Sequence, residues 1–319
     1  MNFCDFYAGQ DDENRRLDRV IRIFAKNLTL PQIYSGIRKN LIRVNDKKTD
    51  AAYHLKKNDK ISIAEFLIKN TENQQETTAL EEKSNESQFN AQNELKNIIV
   101  FENEHILILN KPYNISVHDG KNNLTQMVNE YLKNEIRDSL SFTPGPLHRL
   151  DKQTTGLIAF SKSIEGARWF TKEIQTHAIK KKYLGITEGK LAEEQNWEDE
   201  IPQKAKTTAT PLSYGKINNS GGKNKLMDVT LVRFSIFTGR KHQIRIQSQL
   251  HDIPLLGDER YGAKKMNSLK RNFYLHAEKL EIPENPLNLP PEIVCKPAPD
   301  FISFLNECNF PLKSLNLEL

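Results

Sequence analysis

The chain has 319 residues, 37% of them hydrophobic, and its 46 Lys and Arg against 41 Asp and Glu leave a net charge of +5. That is enough for one large core and a smaller one. Three cysteines without a CxxC pair (Cys4, Cys295, Cys308) and eight scattered histidines argue against a disulfide framework and a metal centre, so no metal is expected. The opening MNFCDFYAGQDDENRR lacks the basic and apolar regions of a signal peptide, and no apolar run reaches bilayer length. A cytoplasmic monomer without a membrane partner is expected.

Charge is concentrated near the start. Between Arg15 and Ile61 thirteen Lys or Arg stand against four Asp, a local net of +9 that exceeds the total. Leu17, Val20, Ile21 and Phe24 recur at helical spacing, and a second helix from near Pro31 is expected to carry Ile33, Tyr34 and Ile37 inward. LIRVNDKKT then reads as a strand and turn, and HLKKNDKISI as a closing strand, giving two helices followed by a small basic sheet. Because the apolar positions are taken up by the module's own core, the charges, among them Arg38, Lys39 and Arg43, point to phosphate backbone as the partner. The words RLDRVIRIF, LPQIYSGIRKNLIRVND and LKKNDKISI resemble the αL RNA-binding motif, the fold named after the S-four ribosomal protein, so residues 1–68 are expected to form an RNA-binding domain.

Residues 69–96 are rich in Asn, Gln, Glu, Ser and Thr and read as a flexible linker. Beyond it, over 97–319, NIIVFENEHILILNKP predicts a hairpin turning at ENEH, LTQMVNEYLKN a helix, and GLIAFSK a strand. Ala167, Phe170 and Ile174 share a helical face. In the strand KKKYLGITEG, Tyr183, Gly185 and Thr187 face one way and Leu184 and Ile186 the other, so a core behind the apolar pair leaves the tyrosine ring to line another surface. VTLVRFSIFTGRKHQIRIQSQL predicts a strand, a turn at Thr238 and Gly239, and a helix on which His242, Arg245 and Gln249 are expected to share a cleft.

Asp151 follows a basic, apolar run and precedes a strand. By itself it reads as well as a loop acid that binds backbone N–H groups as it does a nucleophile. The set LHRLDKQTTGLIAFSK, KKKYLGITEG, TGRKHQIRIQ, LLGDERYG and YLHAEKLEI, preceded by ILILNKPYNISVH, is similar in order and spacing to the RluA-type pseudouridine synthases, with an RluC-like branch nearest. The resemblance implies a mixed, largely antiparallel α+β catalytic domain. It also implies isomerisation of uridine to pseudouridine in RNA, most naturally large-subunit ribosomal RNA, without cofactor or metal.

Carried onto this sequence, the resemblance makes Asp151 the catalytic aspartate acting on a flipped-out uridine, either attacking covalently or stabilising charge on the ribose. Arg245 is the cation that pairs with it and Tyr183 the aromatic face that stacks on the loose base. Arg149 is expected near the flipped nucleotide, with His148 as support and Leu275 packing the pocket. Gly257 and Asp258 read as a structural turn, and His276 has no catalytic role. The chain departs from the family pattern at Thr155, Lys241 and Gln247, where serine, threonine and histidine are usual. It departs again at Tyr113 and Asn114, where a small residue and glycine are common. A glycosidase would need a second carboxylate beside Asp151, and a non-catalytic ribosome-assembly factor would not need the Asp151, Tyr183 and Arg245 set.

Overall fold

A computed structural model describes residues 1–69, 95–133, 139–219, 225–266 and 268–311. Except for its ends, the linker expected over 69–96 lies outside the described residues. The chain divides into two compact units, one of Met1–Glu94, Val128–Pro144 and Lys162–Glu165, the other of Leu95–Met127, Gly145–Ser161 and Gly166–Leu319.

In the first unit, helices α1 (Leu17–Phe24) and α2 (Leu30–Arg38) accompany a three-stranded antiparallel sheet of β1 (Phe3–Tyr7), β2 (Ile42–Val44) and β3 (Lys60–Ala64), ordered β1-β3-β2. A short helix, α3 (Glu65–Lys69), follows β3. Thr29 starts α2, with Gln32 Oε1 accepting from the Thr29 backbone N–H at 2.8 Å and from its hydroxyl at 2.7 Å, and Pro31 sits in the first turn, where its missing N–H costs nothing. Leu17, Val20, Ile21, Ile33 and Ile37 are buried together. Tyr34 is not: it is 42% exposed, and its hydroxyl donates to Asp18 at 3.0 Å. One residue along from Ile33 the side chain has swung about 100° around the helix, past the edge of the buried stripe. The strand β1 had no sequence signal, because FCDFY does not alternate. Buried Asp12 joins distant parts of this unit by accepting from Gly9 N, Leu140 N and the hydroxyls of Ser139 and Ser141.

The second unit is built on a sheet with nine strands among the described residues. They are β4 (Ile99–Glu102), β5 (Ile106–Lys111), β6 (Thr155–Ser161), β7 (Lys180–Glu188), β8 (Gln195–Glu200), β9 (Lys204–Asn219), β10 (Lys225–Ile236), β11 (Leu275–Glu281) and β12 (Glu292–Val294). The order is β4-β5-β6-β11-β7-β10-β9-β8, with β12 on β11. Only the β6/β11 pair is parallel, so the sheet is mixed and largely antiparallel. Among the described residues four further α-helices follow: α4 (Leu124–Leu132), α5 (Ile164–Gln175), α6 (Gln243–Leu250) and α7 (Pro299–Glu307).

Strand β7 divides the two faces. Leu184 and Ile186 enter a core with Val229 and Leu231 of β10 and with Phe301, Phe304 and Leu305 of α7, where the rings of Tyr274 and Phe304 stack 4.0 Å apart. By the two-residue period of a strand, Lys181 and Tyr183 turn away from that core.

The parallel pair is unusually close. Gly156 stands opposite Ala277 with φ +106°, and a β-carbon there would lie 2.3 Å from the Ala277 carbonyl oxygen. Gly156→Ala is expected to cost about 2 kcal/mol or more through backbone strain, which a thermal melt would read as a midpoint lowered by roughly 5 °C.

Candidate active site

Asp151 sits in the segment that leads into β6, where its carbonyl accepts from Thr154 N at 3.0 Å and closes a turn. This leaves the carboxylate at the junction of two cavities of about 580 and 220 Å³, both lined by Arg149, Leu150, Asp151, Lys241, His242 and Arg245. All these residues belong to the second unit.

Arg245, in the first turn of α6, holds the carboxylate. Its Nη1 donates to Asp151 Oδ2 at 3.3 Å, while Nε and Nη2 donate to the two oxygens of buried Asp258 at 2.6 and 2.8 Å. The guanidinium also lies over the rings of Phe273 and Tyr261, at 4.4 and 4.8 Å. Burial disfavours its charge, but Asp258 and then Asp151 more than restore it, so its pKa stands above the usual guanidinium value. Asp258 is thus the anchor that aims Arg245, a role beyond the structural turn expected of it. Gly257, with φ +84° and Asn272 O 2.7 Å from any added β-carbon, makes the turn that presents it.

His242 caps α6 in a left-handed conformation, with φ 55°. Its Nδ1 is 2.6 Å from the Tyr261 hydroxyl and its Nε2 3.6 Å from Asp151 Oδ1. Burial, together with Arg245, Arg260 and Lys241, outweighs Asp151 and holds its pKa below the ordinary imidazole value. The shift favours the uncharged ring. Hydrogen on Nε2 lets Tyr261 donate to Nδ1 and turns the N–H toward Asp151. Gln249, expected in the same cleft, is exposed instead, because α6 has by then carried the chain past the cavity.

A second support lies beneath Asp151. The fully buried ammonium of Lys111 donates to the carbonyls of Pro112, Ile115 and Lys152 at 2.8 to 2.9 Å, tying the chain after β5 to the residue next to Asp151. Burial pulls its pKa down to about 7, against the raising effect of Asp151. Its sequence signal was the word NKP, in which an apolar strand ends on a lysine.

Tyr183 and Lys181 line the smaller cavity with Leu147, Leu150, Ile174 and Leu275. Burial, reinforced by Asp151, raises the Tyr183 pKa, so the ring meets a ligand as a neutral phenol. Arg149 is exposed at the mouth of both cavities. His148 supports the wall: its Nε2 accepts from Ala159 N at 3.1 Å, its ring stacks against Phe170, and burial with nearby Lys181 lowers its pKa to about 3. In the first unit Arg38 and Lys39 are exposed, whereas Arg43 lies 4.3 Å over the Phe3 ring and donates to Asn40 O.

The departures from the family pattern are accommodated locally. Thr155 Oγ1 is 2.9 Å from His276 Nδ1, Gln247 accepts from the Thr207 hydroxyl and donates to Asp199, and Lys241 faces both cavities. Asn114 takes the left-handed conformation, with φ 64°, that a glycine would adopt easily. Tyr113 lies 4.6 Å from the Arg271 guanidinium and its hydroxyl accepts from Asn272 N. Among the described residues no cluster of His, Cys, Asp and Glu could hold a metal, and no helix is long and apolar enough to cross a membrane.

A carboxylate held by arginine at the mouth of a mostly apolar, base-sized cavity suits chemistry on a nucleoside. The family model for RNA pseudouridylate synthase matches residues 105–250, which span Asp151, Tyr183 and Arg245. An uncharacterized RNA pseudouridine synthase of Mycoplasma capricolum subsp. capricolum is 30% identical over 315 residues, covering 93% of this chain and 98% of that protein. The chain belongs to the RNA pseudouridylate synthase family. The synthase is also 28% identical over 298 residues to the ribosomal large subunit pseudouridine synthase C of Vibrio parahaemolyticus, with 88% of each chain covered. The same-named protein of Escherichia coli K12 is 27% identical over 81% of this chain and 79% of that protein. In fold, the structure of human RNA pseudouridylate synthase domain containing 4 matches with a TM-score of 0.56 at 22% identity, over 70% of this chain and 97% of that one. The synthase is therefore an isomerase of uridine in RNA.

Asp258→Asn should damage the synthase through Arg245. Removing one partner of a buried ion pair costs about 3 kcal/mol, so the thermal midpoint should fall further than in Asp151→Asn. The misplaced guanidinium should slow isomerisation by about 100-fold. A melt and a single-turnover assay on each variant check both outcomes.

Proposed function

We propose that this synthase forms pseudouridine in large-subunit ribosomal RNA, using Asp151 as the nucleophile on a uridine flipped out of its helix. The observation that carries the reading is that Asp151 is the sole carboxylate, among the described residues, lining the smaller cavity. A base cannot be worked on while stacked, and that cavity offers a flipped pyrimidine an apolar wall and the Tyr183 ring. An Asp151 oxygen attacks C1′ as the C1′–N1 electron pair leaves with the uracil. The base then turns, and C5 bonds to C1′ as the Asp151 oxygen departs. C5 gives up its proton and N1 gains one, so nothing is oxidised or hydrolysed.

Arg245 aims the carboxylate, and the cleft wall carries Arg149, Lys152, Lys241 and Arg260, a surface that attracts phosphates. A hydrolytic glycosidase would need a second carboxylate across the sugar. A non-catalytic assembly factor would have no use for the buried Asp258, Arg245 and Asp151 chain. The ribosomal target is supported by the names of the large-subunit relatives and by the exposed Arg38 and Lys39 of the basic first unit.

Asp151→Asn is expected to abolish pseudouridine formation while RNA affinity stays within about threefold, because phosphate contacts dominate binding. Chemical detection of pseudouridine beside a filter-binding titration tests this, and substantial turnover by the variant would refute the nucleophile assignment. Neutralising Arg38 and Lys39 together, as R38Q and K39Q, should reduce the slope of log affinity against log salt by roughly 0.7 to 0.9 for each phosphate that the pair neutralises. The rate at saturating RNA should be unchanged.

A further inference from the structure

Lys181 lines the smaller cavity but has no task in the chemistry of Asp151, Arg245 and Tyr183. It stands two residues before Tyr183 on β7, so both side chains leave the same face of the strand. It is 7% exposed and lines the same cavity as Asp151. A buried ammonium ordinarily has a carboxylate or several carbonyls around it, as Lys111 has. The Lys181 side chain forms no hydrogen bond or ion pair with a described residue. The cavity it lines holds the neutral His148, the neutral Tyr183 phenol and apolar side chains, together with Asp151 and the cations Arg149, Arg240, Lys241 and Arg245, and burial alone draws its pKa to about 8. Gly239 keeps the nitrogen uncovered, since even a β-carbon at that position would lie 3.4 Å from Nζ.

An uncompensated cation facing a mostly apolar cavity calls for an anionic or strongly accepting ligand. Breaking the C1′–N1 bond creates one. The electron pair that leaves the ribose makes the uracil an anion, its charge shared among N1, O2 and O4. We propose that Lys181 is a further catalytic residue, whose ammonium donates to a uracil carbonyl oxygen and stabilises the detached base while it turns. Lys181 keeps its three protons throughout. Its charge is best matched when the base carries the negative charge, which favours the transition state over the bound uridine. A positive wall also retains the loose base until C5 meets C1′.

The inference rests on the reading of Asp151 as the group acting on the ribose, and the experiment separates the two. Single-turnover rates are measured on an RNA stem-loop carrying the target uridine, and on the same RNA with 2-thiouridine or 4-thiouridine at that position, for the wild-type chain, K181M, K181R and D151N. Wild-type turnover with a silent D151N upholds the underlying reading, whatever Lys181 does. K181M is expected to lower the rate on uridine by about 100-fold, as loss of one preorganised donor to a developing anion does, with RNA affinity nearly unchanged. K181R, which keeps the charge, should recover part of the loss. Sulfur accepts hydrogen bonds poorly, so one of the two thio substitutions should slow the wild-type chain several-fold and leave K181M unaffected, a coupling that a merely structural lysine would not produce. A near wild-type rate for K181M, or the same thio penalty in K181M as in the wild type, would overturn the proposal. Should K181M fail to fold by thermal melt, K181Q carries the same comparison.

Discussion

A carboxylate proposed to act on one nucleoside of a large, charged substrate has to be aimed before the substrate arrives. Here the aim comes from one arginine with two anionic partners. Buried Asp258 takes two of the N–H groups of Arg245 in a rigid fork and leaves Nη1 for Asp151. Because it bonds to both Asp258 and Asp151, the guanidinium links the turn after Leu256 to the segment before β6. The aromatic faces of Phe273 and Tyr261 close off the rest of it. Most of the geometry of the site depends on that joint, and Lys111 fixes the same segment from below through the Lys152 carbonyl.

The sheet supplies the smaller cavity by the same economy of placement. Strand β7 gives Leu184 and Ile186 to the core under α7 and gives Lys181 and Tyr183 to the cavity, so one strand both stabilises the unit and lines its site. The close β6/β11 crossing at Gly156 brings Leu275 in from a neighbouring strand to finish the apolar wall. A cavity with one acid, several cations and an apolar wall suits a ligand whose negative charge appears during the reaction.

Much of this was legible in the sequence, to differing depths. Tyr183 and the apolar pair behind it followed from two-residue alternation, the hairpin over ENEH from its turn residues, and the largely antiparallel sheet from the motif order. Tyr34 was misplaced because helical spacing gives the centre of a buried stripe better than its edges. Gln249 failed for a related reason, since a shared helical face says nothing of where the cleft ends. Asp258 was read only as part of a turn, because an acid in a Gly-Asp turn looks local until Arg245 is seen against it, and Lys111 was passed over because a lysine that ends a strand gives no sign that its ammonium is buried among carbonyls. A lysine without a partner leaves no sequence signal at all, and only the burial of Lys181 distinguishes it from its exposed neighbour Lys180.

The central claim is that these residues together convert uridine in large-subunit ribosomal RNA. It is tested most directly by taking ribosomal RNA from cells that lack the gene, incubating it with the purified chain, and mapping pseudouridines nucleotide by nucleotide. A small set of large-subunit positions, unmodified beforehand, is predicted to become pseudouridine, with small-subunit and transfer RNA unchanged. Modification confined to transfer RNA, or no new pseudouridine in any RNA, would contradict the claim.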